Sequence, residues 1–334
     1  MVRIVVDAMG SDKAPKPEIF GALLALDIDE SLELILVGEE NIIKEELSKI
    51  SKDIKRIEII GADSAVTMDD IPTSVIRNKK DSSIVVATKL VAEGRADAMV
   101  TAGNTGASMV ACKLNFGLIE GIERPGIAAL LPTKKDKPVI LIDIGANVDC
   151  KPLHLAHFAI MGASYSQWVI GIRDPKVGLL NIGEEDTKGN DQTKNAFKLL
   201  KNAPVNFIGN VEGRDIIKGD VDVIVCDGFI GNIILKFGES VGFMVMEFLK
   251  RELANKLVYK IGAYLAKPAF LKFKKKVDYS EYGGAPLLGL KNVSIICHGS
   301  SNSNAICNAI LFASNYVKKN INEKIGSMVS NFRL

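Results

Sequence analysis

Apolar positions along this chain follow two habits. Short runs of apolar residues read as buried strands, and longer segments with apolar residues at helical spacing come after them. The strand-like runs are Arg3 to Val6, Leu32 to Val37, Ile57 to Ile60, the run at Ala98, Val139 to Ile142, Val177 to Leu180, Val205 to Ile208, Val221 to Val225 and Val293 to Ile296. Helices are expected over Pro15 to Leu26, Glu39 to Ile50 and Ser82 to Ala92, from near Pro152, in a long segment opening at Gly228, and after Asn304. Strands alternating with helices predict a three-layer α/β fold. Its mostly parallel sheet is covered on both faces, and ligands lie at the carboxyl ends of the strands.

The stretch from Ala96 to Val110 is the clearest such end. An apolar run passes into Gly103, Asn104, Thr105 and Gly106 and then into a helix, so free backbone N–H groups and the positive end of the helix dipole meet there. With Asn104, Thr105 and Ser108 as further donors, the turn suits an anion such as phosphate. Three more strands end in the same way, at Asp143 to Asp149, at Cys226 to Asn232 and at Cys297 to Asn304. A parallel sheet is expected to bring these ends to one rim. The turn Asp7-Ala8-Met9-Gly10, the helix start at Lys79 and Ser82, the loop carrying Lys188, and Asn210 fit the same crevice. Gly228, Asn232 and Lys236 recur every four residues and share one helix face. Gly, Asn and Ser are equally ordinary turn and capping residues, and lysines are ordinary on solvated faces.

Composition narrows the picture by exclusion. In 334 residues, 42 basic and 40 acidic side chains leave a net charge of +2, which gives no global reason to expect nucleic-acid binding. Five cysteines without C-x-x-C spacing read as reduced core thiols of a cytosolic protein. His154 and His157 lack companion ligands, so no metal site is expected. Neither a P-loop nor G-x-G-x-x-G is present, and the G-x-S-x-G letters at Gly238 to Gly242 fall inside the long helix. The start of the chain is too short in apolar residues for a signal peptide, and no apolar run approaches the length of a membrane span. One catalytic α/β domain is expected over residues 1–334, with an inserted helical segment at about 240–280.

At this point the motifs coincide with a family. Asp7-Ala8-Met9-Gly10, Ala102-Gly103-Asn104-Thr105-Gly106-Ala107, Asp143-Ile144-Gly145-Ala146-Asn147, Asn181 to Glu185 with Lys188-Gly189, Gly209 to Gly213, Cys226 to Asn232 and Tyr282 to Gly289 resemble the bacterial fatty acyl-ACP:phosphate acyltransferases of phospholipid synthesis. The resemblance runs from Met1 to about Val317. It implies a fold like the phosphotransacetylases and the isocitrate and isopropylmalate dehydrogenases, a homodimer, no cofactor, and transfer of a long acyl chain from acyl-ACP to inorganic phosphate. The product, acyl phosphate, would pass to a membrane acyltransferase for phosphatidic acid synthesis. Ser11 departs from the family, which usually has a second Gly there.

That reaction assigns roles to the polar residues. Phosphate near neutral pH is largely dianionic and needs placement more than deprotonation. Asn104, Thr105 and Ser300 are expected on phosphate, with Lys188 and Lys236 offsetting its charge. Asp7, Gly10, Lys79, Ser82, Gly103, Gly106, Asn210 and Gly228 complete the binding set. Asn147, Asn232 and His298 are candidate oxyanion or orienting donors, and Asp7, Asp143 and Asp227 orient them or manage a proton. From Asn255 to Lys276, Leu257, Ile261 and Leu265 form an apolar stripe that ends at Pro268. Beyond it Phe270 is interleaved with Lys272, Lys274 and Lys275. A core or dimer-packing helix and a peripheral membrane contact both explain the stripe. The lysines favour an anionic surface, the inner face of the membrane or ACP.

Overall fold

The computed structural model describes residues 1–50, 54–67, 70–135, 137–271 and 283–332. β1 (Val2–Asp7) leads to α1 (Lys16–Ile28), β2 (Leu32–Gly38) to α2 (Glu40–Ser48), and β3 (Ile57–Gly61) to α3 (Pro72–Asn78) and α4 (Ser83–Ala92). Next come β4 (Ala98–Thr101), α5 (Thr105–Phe116), β5 (Gly126–Leu131), β6 (Val139–Ile142) and α6 (Pro152–Tyr165). β7 (Lys176–Leu180), α7 (Asp191–Leu200), β8 (Asn206–Val211) and β9 (Val223–Val225) precede α8 (Gly228–Ala254) and α9 (Leu257–Leu265). The chain returns through β10 (Ala285–Leu288), β11 (Val293–Ile296), α10 (Ser303–Lys318) and α11 (Ile321–Ser330).

The strands form an 11-stranded sheet in the order β3-β2-β1-β4-β11-β10-β5-β6-β9-β7-β8. Successive residues of β1, β2 and β4 face opposite sides, as a pleated strand requires. Ile4, Leu34 and Val100 join the core under α1, α6 and α10, while Val5, Ile35 and Met99 join the core under α4 and α5. Burial on both faces is why these strands read as unbroken apolar runs. Each such side chain stabilises the fold by about 1.5–3 kcal/mol.

The sheet corrects the expectation of a single rim. β1, β4 and β11 run parallel, but β10 is antiparallel to both β11 and β5, and β5 is antiparallel to β6. Three successive reversals leave β6, β9, β7 and β8 parallel to one another and opposed to β1, β4 and β11. The strand-end loops therefore divide between two rims. The turns after β1, β4 and β11 share one, and those after β6, β7, β8 and β9 share the other.

The expected break at Pro268 holds: α9 ends at Leu265, and residues 267–271 open a new helical turn, where Pro is tolerated. One expectation about helices changes. α8 is long and apolar enough to cross a membrane by length and composition. An uninterrupted apolar run misses it because Lys236 and Glu239 punctuate the helix. α9 buries none of its residues, with Leu257 74%, Ile261 55% and Leu265 75% exposed. Lys272, Lys274 and Lys275 lie outside the described residues.

Candidate functional site

The first rim is built on close backbone approach. Asp7 is buried at the end of β1, and its Oδ2 accepts from Thr101 Oγ1 at 2.8 Å while Met9 N donates to Oδ1 at 3.2 Å. Burial pushes the Asp7 carboxyl above its ordinary range against the bonds from Ser83, Thr101 and Met9. Gly10 is pressed so closely on the next turn that a Cβ there would lie 2.7 Å from Gly103 N. Only a glycine admits that contact, which sets the turn after β1 directly under the start of α5.

Asn104 caps α5. Its Oδ1 accepts from Ala107 N at 3.0 Å, and its Nδ2 donates to the carbonyls of Thr67 and Asp70 at 3.2 and 3.4 Å. Asp70 in turn holds Lys79 Nζ at 2.6 Å, so Lys79 and Asn104 belong to one assembly. Ser108 is buried and donates to Asn104 O at 2.9 Å, away from the turn where it was expected as a donor. Thr105 and Gly106 lie in the first turn of α5, where N–H groups have no intrahelical acceptor. Ser82, at the start of α4, is buried with its hydroxyl unpartnered.

His298 and Ser300 follow β11 on the same rim. The Nδ1 atom of His298 lies 2.7 Å from Ser300 Oγ and accepts from Ser300 N at 3.1 Å, which places the ring proton on Nε2 and leaves that N–H available. Asp12 N donates to Gly299 O at 2.9 Å, tying the loops after β1 and β11 together.

The second rim is organised by Asp143. Its Oδ1 accepts from Ile127 N, Gly145 N and Ala146 N at 3.0, 3.2 and 2.9 Å, and its Oδ2 from Asn147 N and Nδ2, both at 2.8 Å. Burial pushes its pKa up, but the ring of N–H donors offers no acceptor for a carboxyl proton. The geometry makes Asp143 an organiser of its loop and leaves it no proton to exchange. Asn147 Nδ2 also donates to Pro125 O at 2.7 Å, so both amide protons are spent and the expected oxyanion-donor role does not fit this residue.

Asp227 caps α8, accepting from Phe229 N at 2.8 Å and from Cys150 N at 2.7 Å. Burial alone would raise its pKa, yet these N–H groups and Gln192 hold it below the usual carboxylate range. Gly228 and Gly231 press α8 onto the β6 loop, with a Cβ at Gly228 only 2.3 Å from Asn147 O. The Asn232 side chain then stands beside Gly145 and makes no hydrogen bond to a described residue, and Lys236 is exposed one turn further on. Asn210 is buried and donates from Nδ2 to Glu185 O at 2.9 Å, with Oδ1 unpartnered, on the loop that carries the exposed Lys188.

The two rims meet at one point. Ile144, two residues past β6, lines a cavity of about 40 Å³ together with Ala285, Ile296, Cys297, His298 and Ser301. β11 is four residues long, which separates the rims by only about 13 Å. The five cysteines are buried free thiols, and burial pushes Cys112, Cys150 and Cys297 up to about 12, which suits core packing. Among the described residues no group of three or more His, Cys, Asp or Glu is placed to hold a metal ion.

Sequence reasoning missed Thr101, which bridges Asp7 to Gly103 N, and Gln192, which donates to Asp227 at 3.2 Å. Thr101 carried a signal as the one hydroxyl ending an apolar strand; Gln192 carried none.

Comparison with known proteins adds an independent line. The family described as a fatty acid synthesis protein matches residues 2–324. A relative from Moorella thermoacetica named phosphate acyltransferase is 51% identical over 327 residues, covering 98% of this chain and 96% of the relative. Another of that name, from Heliobacterium modesticaldum, is 50% identical over 320 residues, covering 96% and 95%. Among solved structures, a phosphotransacetylase from Streptococcus pyogenes superposes with a TM-score of 0.64 at 17% identity, covering 95% of this chain and 94% of that one. The EutD phosphotransacetylase from Staphylococcus aureus gives 0.59 at 18%, with the same coverage. At these identities the two structures speak to the fold, an α/β architecture shared with phosphotransacetylases.

Proposed function

Because this chain belongs to the phosphate acyltransferase family, an acyltransferase family of lipid synthesis, we propose that it moves a long-chain acyl group from acyl-ACP to inorganic phosphate and releases acyl phosphate. The observation that carries the reading is the cradle at the first rim, where Gly10 lies against Gly103 beneath the open N–H groups of Thr105 and Gly106. A helix start of this kind binds a phosphate dianion through N–H groups and the helix dipole. Ser300 and Lys79 border it on the loops already described.

In this reading the thioester carbonyl lies at the cavity shared by Ile144 and His298. A phosphate oxygen attacks the carbonyl carbon, the C–S bond breaks, and the thiolate of ACP leaves. Negative charge on the carbonyl oxygen is met from the second rim by the free carboxamide of Asn232, with Lys236 one turn further along the same helix and Lys188 on the same rim, while the Nε2–H of His298 orients the phosphate on the first. Asp143, Asn147 and Asp227 hold the frame on which Asn232 is carried.

The cavity of about 40 Å³ is far too small for a long acyl chain. The exposed apolar surface of α8 and α9 supports a homodimer whose hairpins also meet the inner face of the membrane, where acyl phosphate would pass to a membrane acyltransferase. Incubating the protein with palmitoyl-ACP and phosphate, with hydroxylamine to trap acyl phosphate, tests the reaction. Hydroxamate above a phosphate-free control is the expected result; a folded protein that gives none overturns it.

A further inference from the structure

Behind the first rim lies a carboxyl group that the reaction does not use. Glu18, in the first turn of α1, is fully buried. Its Oε1 accepts from Ser11 N at 3.1 Å, whereas Oε2 has no hydrogen-bond partner, and neither does the hydroxyl of Ser11. A buried carboxylate oxygen without a partner is costly, and the cost falls when the carboxyl holds a proton. Ser11 is buried in the loop between β1 and α1. The same loop carries Gly10 at one end and, through Asp12 N on Gly299 O, holds the His298 loop at the other.

Burial pushes Glu18 up to about 7, with the negative charge of Asp7 adding to the rise and the bonds from Ser11 opposing it. The titratable groups that face it are Asp7 from β1 and Cys297 from β11, whose thiol feels the Glu18 charge. On the neighbouring helices the groups turned to α1 answer other residues: Glu46 of α2 interacts with Lys16, and Cys307 of α10 with Asp27.

We propose that Glu18 is a positioning residue for the phosphate cradle, a proton-linked latch that in its neutral form holds the Gly10 turn against Gly103 through its bond from Ser11 N. The inference rests on the reading that the anion binds at that turn. When the proton leaves, an uncompensated negative charge sits behind the bound dianion, and the repulsion weakens anion binding above neutral pH.

Sulfate is the probe, because its charge is fixed through the neutral range while phosphate titrates. Calorimetric titration of sulfate into the protein at about pH 6 and about pH 8 should show a dissociation constant that rises on the order of ten-fold in the wild type, the change that one pKa unit of coupling between the proton and the anion gives. In Glu18→Gln the rise should shrink to less than about two-fold, because the amide keeps a donor and cannot ionise. A constant that does not move in the wild type, or one that rises equally in the variant, overturns the latch. Sulfate that binds at neither pH overturns cradle and latch together, whereas failure of the acyl-transfer reading is seen separately, as absence of hydroxamate. Should Glu18→Gln not fold, the wild type decides: sulfate binding near pH 7, run in two buffers of different ionisation enthalpy, must take up protons, and zero uptake sinks the proposal.

Discussion

Gly231 on α8 faces Asp143 so closely that a Cβ built on the glycine would stand 1.9 Å from the aspartate carbonyl oxygen. That contact, with Gly228 against Asn147, fixes where α8 begins and so where Asn232 points. Gly231→Ala is expected to push the helix off the β6 loop, costing roughly 1–3 kcal/mol and most of the activity. Gly238, on the same helix with nothing within 4 Å of its notional Cβ, is the control: Gly238→Ala should be neutral or stabilise by about 0.5–1 kcal/mol. Urea unfolding of both variants checks the contrast, and equal stabilities would deny the packing role.

The capping geometry separates two asparagines that look alike in sequence. Asn104 is committed to Ala107 N and to the carbonyls of Thr67 and Asp70, whereas the Asn232 side chain makes no bond to a described residue. Asn104→Ala should therefore lower stability by about 0.5–2 kcal/mol as well as weakening the cradle. Asn232→Ala should leave unfolding unchanged and cut the rate by about 100- to 1,000-fold. Parallel denaturation and hydroxamate kinetics decide, and a destabilised Asn232→Ala with normal turnover would remove it from the site.

Much of the architecture was legible because the strands are buried on both faces and announce themselves as apolar runs. β5 and β10 were not. Gly126 to Leu131 sits between loops with no helix after it, and Pro286 interrupts the pattern of β10. These two strands carry the reversals, so missing them turned two rims into one. Within the site, the turn chemistry at Gly103 to Gly106 and at Gly228 to Asn232 was readable from composition. Whether an Asn or Asp side chain caps its own helix or stays free was not, because that depends on contacts such as Asn147 to Pro125 that only the packed loops create.

The buried carboxyl behind the cradle has a consequence for stability. Glu18 keeps its proton up to about 7 in the folded chain, against an ordinary value of 4.5. Below 4.5 both states are protonated and no penalty exists. As pH rises toward 7 the unfolded chain releases the proton while the folded chain retains it, so stability falls, by up to about 3 kcal/mol. Glu18→Gln should match the wild type near pH 4 and exceed it near pH 8. Urea midpoints measured across that range test it, and a difference that is constant with pH would show that Glu18 titrates normally.

The exposed hairpin gives the last expectation. α9 buries none of its residues, and the exposed apolar side chains of α8 include Phe237 at 69% and Phe243 at 72% exposure. Apolar surface on this scale needs a cover, and Lys256 and Lys260 lie beside the stripe on α9. An anionic bilayer supplies both an apolar boundary for Leu257, Ile261 and Leu265 and about 1 kcal/mol for each nearby lysine. A neutral partner surface would satisfy only the first. Cosedimentation with vesicles containing anionic lipid should therefore retain the wild type and weaken as salt rises, since the lysine contribution is screened over roughly 10 Å. The double variant Leu265→Glu/Phe270→Glu should stay in the supernatant while remaining folded. Its mass in solution separates the two covers: a variant that is still dimeric yet no longer binds vesicles assigns α9 to lipid, and one that binds vesicles as well as the wild type assigns the stripe to contact between chains.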